Sequence, residues 1–114
     1  MLTTVQLLDM LYHKLGSDYQ THKELKIDQS RLSKLRKGAG TFTNEQGVKI
    51  AKLLDLKEEF VILSLTAERE ADSNVRSILR TLADKFEPKN FAAGLLIATL
   101  AAISAMQPIS SNLA

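Results

Sequence analysis

Gln29, Ser30, Arg31, Ser33, Lys34, Arg36 and Lys37 fall within nine residues. They offer an amide, two hydroxyls and four long cations. These groups suit recognition rather than reaction: Lys and Arg reach phosphates, and Gln, Ser, Lys and Arg match the donor and acceptor patterns of base edges in the major groove of a duplex. Residues 26–37 carry five Lys or Arg against one Asp. Neither Ser30 nor Ser33 has a neighbouring histidine or other base, His13 and His22 fall in separate predicted helices, and no Gly-rich phosphate loop or metal-ligand cluster is present. No enzyme, cofactor or small-molecule substrate is therefore expected.

To act together these side chains must share a helix, and the local signals supply one. Asp28 can cap a helix from Gln29, and Gly38 tolerates a positive φ just past its end. Leu32 and Leu35, three residues apart, share a face that can pack with Ile27 and Leu25 on a preceding helix. At about 100° per residue, Ser30, Ser33, Lys34 and Lys37 then point outward, with Gln29, Arg31 and Arg36 on the flanks. Ser17-x-x-Gln20 has the form of a capping box, which starts the preceding helix near Asp18.

With those residues in view, positions 3–56 resemble the lambda-repressor/Cro-type helix-turn-helix domain. Gln20 matches the family's glutamine at the start of its second helix, a phosphate contact there. Gln29 matches the start of the recognition helix, and Ser30-Arg-Leu-Ser-Lys-Leu-Arg-Lys-Gly38 resembles its end. The resemblance implies binding of double-stranded DNA, with Gln20 and nearby cations on phosphates and Gln29, Ser30, Ser33 and Lys34 reading bases. It also implies a homodimer, so that two recognition helices meet successive major grooves about 34 Å apart. Three positions depart from the family. Thr21 and His22 replace a usual Leu-Ala, and Lys26 replaces a turn glycine. A histidine at position 22 implies looser or rotated helix packing, and Lys26 in a left-handed conformation would cost about 1 kcal/mol. These departures keep a second reading open: a helical protein-interaction module, or a small membrane-anchored phage protein that does not bind DNA.

Composition agrees with an all-α chain of one small domain plus an appendage. Of 114 residues 45% are hydrophobic and two are proline, and no run alternates with period two. There is no cysteine, which excludes disulfides and thiolate zinc sites. Residues 1–56 hold nine cations and six anions, residues 57–89 six and seven, so the basic excess is N-terminal. Gln6, Asp9, His13 and Lys14 interrupt the apolar residues of the first fifteen, so no signal peptide is expected.

The remaining elements follow from spacing. Thr3 or Thr4 can cap a first helix carrying Val5, Leu8, Leu11, Tyr12 and Leu15, ended by Gly16. Thr43-x-x-Gln46 opens a helix with Val48, Ile50, Ala51, Leu53 and Leu54 inward, and four helices up to residue 56 can close one core. Residues 57–88 read as a helical extension: a dense apolar helix from about Glu58 toward Glu70, a break at Asp72-Ser-Asn74, then a stripe of Val75, Ile78, Leu79, Leu82 and Phe86 ended before Pro88. Self-association is expected to involve residues 58–86.

From Asn90 to Ala114 no residue is charged. As a helix, Phe91–Met106 would be apolar all round and needs burial in protein or lipid. Extended to Ile109 it reaches about 28 Å, close to the hydrocarbon thickness of a bilayer. Lys85 and Lys89 before it would keep the N-terminal part cytoplasmic, anchored to the inner face of the membrane, and Gly94, Ala98 and Ala102 give a small-residue face. Burial in an oligomer core is the alternative. The whole layout is similar to small helix-turn-helix proteins of filamentous phages and prophages.

Overall fold

Helix caps set the boundaries of the fold, which is described for residues 1–89 by a computed structural model. Six helices follow in order: α1 Thr4–Leu15, α2 Asp18–Leu25, α3 Gln29–Arg36, α4 Asn44–Leu54, α5 Glu58–Arg69 and α6 Ser73–Asp84. The described residues are all-helical. Thr3 and Gln6 at the start of α1, and Thr43 and Gln46 at the start of α4, form reciprocal capping boxes. At α2 only half of the expected box forms: Ser17 Oγ accepts from the Gln20 N–H, and among the described residues Gln20 returns no bond. Asp28 occupies the N-cap of α3 without a side-chain capping bond.

The core is built from the inward stripe of each helix. Leu2, Leu7, Leu8 and Leu11 meet Leu25, Leu32, Leu35, Phe42, Ile50 and Ala51, all buried. Burial of a Leu, Ile or Phe side chain contributes roughly 1.5–3 kcal/mol, so this cluster dominates the stability of the fold.

The buried cluster continues past residue 56. Phe60, Val61 and Leu65 of α5 are fully buried in the same cluster. Polar contacts join α5 to the start of the chain as well. The Leu2 N–H donates to Ser64 Oγ at 3.1 Å, and Thr4 donates from both its N–H and Oγ1 to Glu68 Oε1 at 2.9 and 2.8 Å. Thr4 Oγ1 in turn accepts from the Phe42 N–H. A four-helix core would leave the apolar face of α4 open, and α5 packs against it. Gly47 makes this possible: a Cβ there would stand 2.8 Å from Leu65 Cδ1 and 3.0 Å from Ile62 Cδ1.

Asp72 caps α6 by accepting from the Asn74 and Val75 N–H groups, and α6 packs along α5. Arg76 secures the link by donating from Nε and Nη2 to the Glu70 carbonyl. The apolar stripe expected on this helix is split by the packing. Ala83 is buried and Leu79 and Phe86 are half-buried, whereas Val75, Ile78 and Leu82 are exposed by 40, 61 and 39%. Among the described residues no helix is long and apolar enough to cross a membrane. The segment expected to be a membrane helix, 91–109, lies outside the described residues.

Candidate nucleic-acid interface

Two short helices and the turn between them carry the candidate residues. Leu25, Leu32 and Leu35 are buried and Ile27 half-buried, which holds α3 against the rest of the core by the face its leucines define. The turn is closed by Lys26, whose φ of 58° and ψ of 46° are left-handed and whose N–H donates to the His22 and Lys23 carbonyls. His22 spans the same turn. Its Nδ1 lies 3.0 Å from the Ile27 carbonyl oxygen, and since that oxygen only accepts, Nδ1 carries the proton. The ring also packs edge-on against Tyr19, so His22 is held at the turn by both a hydrogen bond and a ring contact.

This scaffold brings Gln29, Ser30, Arg31, Ser33, Lys34 and Lys37 to the surface of α3, where all six are exposed. Gln29 and Ser33, one turn apart, border a shallow cleft of about 220 Å³ against Asp18 and Tyr19 of α2. Ser30, Lys34 and Lys37 form the adjoining ridge. Gln20 is exposed on α2, where Lys23 lies over the Tyr19 ring at 5.2 Å. Arg31 leans away from the ridge, donating to the Thr41 carbonyl of the following loop at 3.2 Å.

Arg36 stands apart from the other candidates. Its guanidinium turns inward, donating from Nε and Nη2 to the two carboxylate oxygens of Asp18 at 3.2 and 2.8 Å, and from Nη1 to Asp9. Hydrogen bonding to Asp18 raises the Arg36 pKa above its already high value, and Asp9 adds to this, while partial burial works in the opposite direction. This arginine ties α3 to α1 and α2, so its charge is committed within the protein.

Two residues that sequence reasoning left unassigned tie α5 to neighbouring parts of the fold. Arg69, in the last turn of α5, donates to the Phe42 carbonyl at 2.9 Å and to Asn44 Oδ1 at 2.5 Å, fixing the loop that leaves α3. Glu68 anchors Thr4 as described above. Neither pairing has a local signature, because the partners are 25 to 64 residues away. No group of histidines, cysteines and carboxylates that could hold a metal ion occurs among the described residues. The arrangement offers hydrogen-bonding amides and hydroxyls beside the Lys34 and Lys37 ammonium groups on one convex helix. The chain matches no family model, no curated protein and no solved structure.

Proposed function

We propose that this protein is a sequence-specific double-stranded DNA-binding regulator of the Cro/repressor-like helix-turn-helix kind, acting by occupancy of its site, with α3 as the groove-reading helix. The observation that carries the reading is the sorting of α3 into two faces: Leu32 and Leu35 inward, and Gln29, Ser30, Ser33, Lys34 and Lys37 outward. An exposed α-helix fits the roughly 12 Å width of the major groove. Gln29, Ser30, Ser33 and Lys34 then meet base edges, while Lys37, Arg31 and Gln20 meet phosphates. Arg36 supports the helix and does not contact DNA.

Selection of bound sequences from a random duplex pool, followed by gel-shift titration at several salt concentrations, tests the reading. Gln29→Ala or Ser33→Ala should relax sequence preference by about 1–3 kcal/mol at one base position. Lys37→Ala should weaken binding to all sequences alike and reduce the salt slope by about one. A protein that shifts no duplex even at low salt is not a DNA-binding regulator, and α3 is then a surface for another protein.

A further inference from the structure

We propose that Tyr19, on the supporting helix α2, is a specificity-determining residue whose ring contacts the 5-methyl group of a thymine; the inference rests on the DNA-binding reading of α3. The observation is the cleft between the two helices. Asp18 and Tyr19 line it from α2, and Gln29, Leu32, Ser33 and Arg36 line it from α3. At about 100° per residue Ser33 lies about 40° from Gln29 on one side and about 40° from Lys37 of the outward ridge on the other. A base edge met by the ridge therefore also covers the cleft.

The lining chemistry selects the base. In the major groove thymine alone sets a methyl group beside an acceptor oxygen, O4. The Gln29 amide and the Ser33 hydroxyl can donate to that oxygen, while the Tyr19 ring and the Leu32 side chain offer apolar surface to the methyl. Asp18 and Arg36 also border the cleft, but they are hydrogen-bonded to each other and their charges offset. Tyr19 is positioned before any base arrives. Its side chain is on a residue 52% exposed, packs edge-on with the His22 ring at 5.1 Å between centroids, and has the Lys23 ammonium 5.2 Å from its own centroid. His22 is in turn held to the Ile27 carbonyl across the turn. A ring fixed by two neighbours gives up little further freedom on binding. Part of the sequence preference is thus placed on α2 and not on the recognition helix.

The test uses the full chain and duplexes of its selected site in which each thymine in turn is replaced by deoxyuridine, which removes the methyl group and nothing else. At one thymine the unmodified protein should lose about fourfold in affinity, the factor expected for one buried methyl-sized group. Tyr19→Ala should bind the thymine and uracil duplexes equally at that position, whereas Tyr19→Phe, which keeps the ring, should keep the preference. Circular dichroism verifies that each variant folds. A protein that selects a site yet is indifferent to every such replacement overturns this inference and leaves the DNA-binding reading standing. A Tyr19→Ala protein that keeps the preference also overturns it, as does a Tyr19→Phe protein that loses it, since the hydroxyl and not the ring then makes the contact. A chain that shifts no duplex overturns the DNA-binding reading and this inference with it.

Discussion

Arg36 grips both carboxylate oxygens of Asp18, so the last turn of α3 is fastened to the first turn of α2. Asp9 of α1 completes the contact. Because the guanidinium side chain is 29% exposed, solvent screens part of the attraction, and the clamp is worth less than a fully buried one. Arg36→Met should lower unfolding free energy by about 1–2 kcal/mol in urea titrations. Arg36→Lys should recover only part of this, since an ammonium lacks the planar fork. The arginine's pKa is raised on folding, so its contribution is fully present below the ordinary guanidinium range and is lost only as pH rises through the raised value. Stability titrations from neutral to moderately alkaline pH should therefore show no loss from this group.

Lys26 closes the α2–α3 turn in a conformation that glycine adopts without penalty. Lys26→Gly should raise stability by about 0.5–1 kcal/mol, the relief of steric strain being partly offset by the greater freedom of glycine in the unfolded chain. Urea denaturation measures it. A loss of stability would mean that the lysine side chain makes a contact outweighing its backbone strain.

Gly47 sits in the first half of α4, where alanine would ordinarily be the better helix former by about 1 kcal/mol. Here the added methyl would press on Leu65 and Ile62, and Leu65 is fully buried and has little room to yield. Overpacking costs about 1–3 kcal/mol, so Gly47→Ala should be net destabilising by about 1 kcal/mol and lower the thermal midpoint.

Residues 1–56 should not fold on their own. That fragment lacks Phe60, Val61 and Leu65, and it strips Thr4 and Leu2 of their partners Glu68 and Ser64. Residues 1–89 should unfold cooperatively in circular dichroism, whereas 1–56 should show little helix and no sigmoidal transition. A cooperative 1–56 fragment would show that α5 is dispensable to the core.

Much of the local structure was legible in the residues. Thr3, Ser17 and Thr43 all cap helices, Gly16 and Gly38 follow helix ends with positive φ, and Leu32 and Leu35 mark the inward face of α3. Each depends on neighbours within about four residues, where chain geometry leaves little choice. The packing across residue 56 was not legible, because α5 carries apolar residues on more than one face and spacing alone does not say which neighbour covers them.

In the stretch that carries the candidate interface, the sequence by itself determined the helix ends, the inward leucines and the concentration of cations, all of which follow from short-range caps and periodicity. Tertiary structure decided which of those cations are committed to the protein. Arg36 differs from Lys37 by one position, which is about 100° around the helix. That rotation points one guanidinium at Asp18 and Asp9 and leaves the next ammonium in solvent. Ion pairs formed across 18 to 27 residues depend on how whole helices pack, and no local pattern records them.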